Sequence, residues 1–328
     1  MEQQYCFAWW NLENLFDVDG TPDRPEWLQK ALNDELEAWD ATALTQKLDQ
    51  LGKVIAAMNN GVGPDLIGVC EIESRAVLEK LVEALDLPVR DYGIAHEDTR
   101  DKRGIDVAFI YDKQKFDIET DADGKNMIFS HLIQKRSATR DIVQVNFVSK
   151  QGEPFIVIGN HWPSRMGGEL ESEPYRMIAG ETLAYFMQRI QELRKDVPVF
   201  VMGDFNDEPF NRSMTNYALS THSRSKVTRA RSRPMLFNMM WRLMDGNQGT
   251  HSYGNVWGML DQVLLNKGAL KKEGLYCKPE EITIFTIDGM VDDNKVVRHG
   301  RPCKKKEYNP DGFSDHLPVT FIVREKIV

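Results

Sequence analysis

A chain of 328 residues that is 41% hydrophobic and 28% charged, with no low-complexity tract, can bury a sizeable core; length alone admits one large domain or two. The formal net charge of −9 argues against holding nucleic acid by bulk electrostatics, but it is compatible with a carboxylate-rich metal site and local basic patches. No apolar run is long enough to span a bilayer, the opening Met1-Glu2-Gln3-Gln4-Tyr5 has no basic leader, and Cys6, Cys70, Cys277 and Cys303 form no CxxC pair, so free thiols and a cytoplasmic location are expected.

The elements follow from apolar spacing. Ala8-Trp9-Trp10 predicts a strand ending at Asn11. Leu44, Leu48, Leu51, Ile55 and Met58 recur at three and four, which predicts a helix with one buried face. Leu66–Cys70 reads as a short buried strand ending at Glu71, and Leu78, Leu81, Val82 and Leu85 as a helix stopped before Pro88. Strands are predicted at Ile105–Tyr111, Ile142–Val148 and Phe155–Gly159. Pro174 suits the first turn of a helix whose apolar face would be Ile178, Thr182, Phe186, Ile190 and Leu193. Val199–Met202, Leu260–Leu265 and Val319–Val323 are the remaining strands. Strands and helices mix without strict alternation, which suits two sheets flanked by helices.

Polar residues with catalytic chemistry recur where these strands end: Asn11, Glu71, His161, Asp204 and Asn206. A sheet that presents such groups from several strand ends builds one site from distant parts of the chain. In Gly203-Asp204-Phe205-Asn206-Asp207, Asp204 and Asn206 share one side of extended backbone, although the same residues would serve a turn. Ser314-Asp315-His316 puts an acid beside an imidazole, fit for a metal ligand and a proton carrier or simply for a loop. Asp261, opening the strand in Gly258-Met259-Leu260-Asp261-Gln262, suits an imidazole-orienting acid or a solvent-facing edge residue.

Taken in order, Trp10-Asn11-Leu12-Glu13-Asn14, Val69-Cys70-Glu71-Ile72, Gly-Asp-Phe-Asn, Leu-Asp-Gln and Ser-Asp-His resemble the endonuclease/exonuclease/phosphatase family, from Trp10 to Pro318. The resemblance implies an α/β fold, a four-layer sandwich of two packed mixed sheets flanked by helices, as one domain over residues 1–328. It implies a Mg²⁺ or Mn²⁺ site at Glu71 and Asp315 with Asn11 in support. It implies that Asp204 and Asn206 position water and phosphate, that His316 contacts the scissile phosphate, and that Asp261 is hydrogen-bonded to His316. His161, in Gly159-Asn160-His161-Trp162-Pro163-Ser164-Arg165, is similar to the deoxyribonuclease-like and sphingomyelinase-like branches. It departs from the Tyr-x-Pro-Asn pattern of apurinic endonucleases. Asp106 falls where the deoxyribonuclease-like branch pairs an acid with that His, so two dyads are expected: Asp106–His161 and Asp261–His316.

Arg165, Arg103, Arg140 and Arg176 lie near these motifs and are the candidate phosphate-binding residues. The basic stretch Ser223–Arg233 is expected near the site mouth, as a polyanion grip or a solvated loop. Trp241, Tyr253 and Trp257 flank it as stacking candidates, with Trp241 assigned to packing. The expected activity is phosphodiester hydrolysis, with nucleic acid as substrate, no membrane and no obligate protein partner. The alternatives are a phosphomonoesterase, a sphingomyelinase-like phosphodiesterase and a non-catalytic binding module.

Overall fold

The structure, a computed structural model, describes residues 2–22, 24–32, 35–99, 101–133, 140–244, 248–300 and 308–327. Its strands are β1 (Glu2–Leu15), β2 (Leu66–Ile72), β3 (Tyr92–His96), β4 (Asp106–Asp112), β5 (Phe116–Ile118), β6 (Ile128–His131), β7 (Ile142–Ser149), β8 (Pro154–His161), β9 (Val199–Asp204), β10 (Ser220–Thr221), β11 (Leu236–Asn238), β12 (His251–Tyr253), β13 (Val256–Gly258), β14 (Asp261–Leu265), β15 (Leu275–Ile284), β16 (Val291–Asp292), β17 (Lys295–Val296) and β18 (Val319–Lys326). The α-helices are α1 (Glu26–Leu32), α2 (Ala41–Gly61), α3 (Arg75–Ala84), α4 (Glu169–Arg194) and α5 (Arg224–Arg229).

Two mixed sheets dominate. One runs β15-β18-β1-β2-β4-β3; the other runs β10-β11-β14-β9-β8-β7-β5, with β6 paired to β7. The parallel pairs β1–β2 and β8–β9 are central. Side chains alternate across each strand, so the inner strands must be apolar on both faces. In β9, Phe200 and Met202 enter the core between the sheets while Val201 faces a second core with Leu183 and Met187 of α4. The inner core is aromatic, with Phe7, Phe155, Phe200 and Phe321 meeting ring to ring. Gly159 lets the sheets approach: a Cβ there would stand 2.5 Å from Cγ1 of Val107.

The outer layers follow the apolar stripes. Asp40 caps α2 by accepting from the Ala43 amide, and α2 buries Leu44, Leu48, Leu51 and Ile55 as the spacing predicts. α4 departs from expectation. It starts at Glu169, so Pro174 lies beyond the first turn. Its buried face is Ser172, Arg176, Ala179, Gly180, Leu183, Met187 and Ile190. Of the expected face only Ile190 is buried; Ile178 is 39% and Leu193 81% exposed. Polar Arg176 and small Gly180 lead the inward face, and an apolar count overlooks both.

Candidate active site

Strand register brings the chemistry together. Parallel β8–β9 sets His161 beside Asp204, and antiparallel β9–β14 sets Asp261 on the other side of Asp204. The other sheet ends at the same edge with Asn11 and Glu71. The loop entering β18 is fastened there by two bonds: the Ser314 hydroxyl donates to the Asn11 carbonyl (2.6 Å) and the Trp10 indole to the His316 carbonyl (2.8 Å).

The backbone is strained at this edge. Glu13, Asn14, Glu71 and Asn206 adopt φ of 53°, 52°, 62° and 51°, in the left-handed region that is costly for side-chain-bearing residues. Glu71 sits at a register shift between β2 and β4, where an extra residue re-aims a side chain. Its Oε2 accepts from the Asn14 amide (2.9 Å), and its Oε1 lies 3.4 Å from Nε2 of His161.

Asp204 is the hub. Its carboxylate accepts from Nδ2 of Asn11 (3.1 Å), Nδ2 of Asn206 (3.2 Å) and the Asn206 amide (3.0 Å). Nε2 of His161 and of His316 stand 3.7 and 3.9 Å from its Oδ2. Burial, together with the charges of Asp261 and Glu71, raises its pKa to about 7 against the pull of His316. Nδ1 of His316 is 2.6 Å from Oδ2 of Asp261, whose Oδ1 accepts from the Trp9 indole (3.0 Å). Burial disfavours a charged His316, but Asp261 and Asp204 outweigh it and lift its pKa well above the usual imidazole value. Asp261 is fully buried, so the solvent-facing alternative is excluded.

His161 is the opposite case. Burial, then the charges of Arg140 and Arg103, push its pKa well below the usual value. Nε of Arg140 donates towards Nδ1 (3.2 Å), and its Nη2 lies 2.9 Å from Nε2. A neutral imidazole can accept at only one of these nitrogens. The expected Asp106–His161 dyad is therefore corrected: no hydrogen bond or ion pair links the two. Asp106 instead meets Nε2 of His96 (3.1 Å) and the Thr99 amide (3.1 Å), having been claimed by its own strand neighbour and loop.

The four arginines divide. Arg140 is buried against His161, and Arg103, partly exposed, lies close enough to lower its pKa. Arg165 spends Nε on the Asn206 carbonyl (2.7 Å) and stays partly open beside Glu169 and Asp207. Arg176 is corrected from a phosphate contact to an internal strut. It is fully buried, ion-paired to Asp207 (2.8 Å) and bonded to Ser172 (2.7 Å).

Oδ1 of Asn11 accepts from the Glu13 amide (2.9 Å), which fixes the irregular turn of the backbone near the end of β1. Glu71 and Asp315 bring oxygen donors to the cleft, the chemistry a hard divalent cation requires, and both keep some exposure. Among the described residues, two acid and imidazole clusters have donor atoms within 4.8 Å of one another: Asp204–Asp261–His316, and His96–Asp98–Asp106. In the first, Asp261 already holds His316 and Trp9, so we read it as proton-handling machinery. Three neighbours carried no signal beyond their residue type. Glu13 and Lys47 are buried behind the acids. The His251 ring lies 4.7 Å from that of His316, and burial and the His316 charge bring its pKa to about 3.

The basic stretch is not at the mouth. Val227 and Ala230 line a cavity with Lys195, Asp196, Asn266 and Lys267. Asn266 holds the Val199 amide (3.0 Å), at the end of β9 opposite Asp204. The short β10 and β11 turn the chain back toward that far end, which spacing from the motifs could not reveal. Tyr253 is 83% exposed on the β12–β13 hairpin beside His251, while the Trp257 indole donates to Asn294 (2.8 Å). Trp241 packs edge-on against His222.

A mixed two-sheet sandwich with acids, amides and imidazoles gathered at one edge defines a class of phosphoester hydrolase. A sequence model of the Endonuclease/Exonuclease/phosphatase family matches residues 6–325, and the chain belongs to that family, whose members are divalent-metal-dependent phosphoester hydrolases. No curated protein matches it in sequence. Solved structures similar to it include a family protein from Bacteroides thetaiotaomicron (16% identity, TM-score 0.57, all of both chains covered). A mannosyl-6-phosphatase from the same organism is 17% identical, with TM-score 0.54 over 97% of this chain and 99% of that one. The human Nocturnin catalytic domain with bound sulfate is 15% identical, with TM-score 0.57 over 98% and 94%. At these identities the likeness establishes the shared fold. Among the described residues no helix is long and apolar enough to cross a membrane.

Proposed function

We propose that the chain is a phosphodiesterase that hydrolyses nucleic acid by in-line attack of an activated water, its residues 1–328 acting as one catalytic domain. The observation that carries this reading is Asp204 set between two imidazoles, 3.7 Å from Nε2 of His161 and 3.9 Å from Nε2 of His316, with burial and Arg140 pushing the pKa of the first down and Asp261 lifting that of the second. Glu71 and Asp315, with Asn11 behind them, would hold Mg²⁺ or Mn²⁺. When bound, such an ion neutralises phosphate charge and favours attack. Asp204 and Asn206 orient the water, and Asp204, its pKa near 7, is poised to accept the proton. His316, held in one orientation by Asp261, donates to the phosphate oxygen or the leaving group. His161 and Arg140 supply hydrogen bonds from the opposite wall, and Arg165 and Arg103 give positive charge at the rim. Cys6, Cys70 and Cys277, free and buried, suit the reducing cytoplasm.

One observation favours a smaller phosphoester, including a monoester. The basic stretch Ser223–Arg233 lies away from the cleft, which removes one means of gripping a long polyanion. Labelled DNA and RNA oligonucleotides, an inositol phosphate, mannose 6-phosphate and sphingomyelin, assayed side by side with Mn²⁺, separate the readings. Cleavage of an oligonucleotide is the expected result; turnover confined to the monoesters would replace nuclease by phosphatase.

A further inference from the structure

Arg298 lies in the segment that follows β17, and no sequence motif singles it out. Its Nε donates to Oε1 of Glu13 (2.6 Å), and its Nη2 contacts the same carboxylate and lies 3.3 Å from Oδ2 of Asp315. The two acids differ. Glu13 is wholly buried, and its other oxygen accepts from the Gly300 amide (3.0 Å), so it is clamped whether or not Arg298 moves. Asp315 is a quarter exposed, and Arg298 is its partner among the described residues. The Arg298 side chain is 58% exposed, and its Nη1 has no partner among those residues. Lys47, by contrast, is fully buried behind the acids with Nζ on the Glu13 carbonyl, a cation that cannot leave.

On the side of Glu13 and Asp315, the acids thus face one fixed cation, Lys47, and one at the mouth, Arg298. A divalent ion taking Glu71 and Asp315 must share Asp315 with a guanidinium of the same sign, and like charges at such range repel strongly where water is partly excluded. A long side chain anchored through Glu13 can yield its second contact and turn its free edge outward. A guanidinium fork then matches phosphate oxygens in a paired geometry that an ammonium cannot reproduce.

We propose that Arg298 is a resident counter-cation of the acidic centre, released from Asp315 when a divalent ion binds and then taken up by the substrate phosphate. This rests on the metal-dependent phosphoesterase reading. A mere strut would hold Asp315 in place for the metal, so its loss would weaken metal binding. A counter-cation competes with the metal, so its loss must strengthen it. The sign separates the two.

The test is a pair of calorimetric titrations on the full chain, wild type against Arg298→Gln and Arg298→Lys. The first titrates Mn²⁺ into metal-free protein, and the second titrates inorganic phosphate into Mn²⁺-saturated protein. Arg298→Gln is expected to bind Mn²⁺ roughly threefold to tenfold more tightly and phosphate about tenfold more weakly. Arg298→Lys keeps the charge but not the fork, so its Mn²⁺ affinity should match wild type while phosphate binding falls part of the way. Equal or weaker Mn²⁺ binding by Arg298→Gln, weaker Mn²⁺ binding by Arg298→Lys, or unchanged phosphate affinity in Arg298→Gln would each overturn the proposal. If Arg298→Gln does not fold, the lysine variant decides: unchanged Mn²⁺ affinity with weakened phosphate binding supports the proposal, and weaker Mn²⁺ binding or unchanged phosphate affinity overturns it. Neither titration needs turnover, so a protein that cleaves no phosphoester would defeat the proposed function and leave this result readable.

Discussion

Asp261 never meets solvent, and its two oxygens are committed to His316 and the Trp9 indole. Asp261→Asn preserves the shape and removes the charge that keeps His316 protonated. The expected cost in kcat is about 10³–10⁴-fold, the scale seen when the acid of an acid–imidazole pair is neutralised, and an NMR titration should find the His316 pKa lowered. Asp204 makes a second prediction, on stability. Its folded pKa is raised to about 7, above its unfolded value, so its contribution is complete below about pH 4 and is lost as pH rises towards 7. In EDTA, Asp204→Asn escapes that loss, and its Tm relative to wild type should climb by a few degrees between about pH 4 and pH 8. A flat difference would show that the acid ionises at no cost. His316, Asp261 and Asp204 were legible because each sits in a short motif at a strand end. Glu13 and Lys47 were not: one is an unremarked member of a motif, the other a lysine on an ordinary apolar helix. Only the fold buries them together.

At the scale of elements, α4 shows where periodicity fails. Ile178, Phe186 and Leu193 make a plausible stripe, yet the helix turns Arg176 and Gly180 inward. Gly180 lies so close to Ser213 that a Cβ would stand 2.5 Å from its carbonyl oxygen, and Arg176 pairs with Asp207 just after the Gly-Asp-Phe-Asn motif. A buried ion pair cannot be read from apolar spacing. Arg176→Ala removes the close ion pair of buried Asp207 and leaves it only the longer contact from Arg165 (3.5 Å) and the Ser213 hydroxyl, which should destabilise the protein by about 3 kcal/mol. Thermal unfolding measures that loss, and a raised KM with an unchanged Tm would return Arg176 to the substrate. Asp106 failed as a partner of His161 for a related reason. Its carboxylate is taken by its strand neighbour His96 and by the Thr99 turn.

For the whole molecule, the order of motifs along the chain was visible in the sequence, and so were two sheets flanked by helices. The edge at which the sheets coincide was not. Asn11 and Asp204 are 193 positions apart, and Asp261 and His316 are 55 apart; strand register and the packing of one sheet on the other bring each pair together. The same long-range geometry sends the basic stretch to the far end, an outcome no local pattern encodes. The proposed metal-dependent phosphodiesterase centre at this shared edge is organised around Asp204. Its most direct test is absorbance-monitored hydrolysis of bis-p-nitrophenyl phosphate beside p-nitrophenyl phosphate, with Mg²⁺, Mn²⁺ or EDTA, for wild type and Asp204→Ala. Metal-dependent cleavage of the diester, abolished by EDTA and reduced by at least about 10²-fold in Asp204→Ala, is expected; diester cleavage that persists in EDTA or in the variant would contradict a metal centre organised around Asp204.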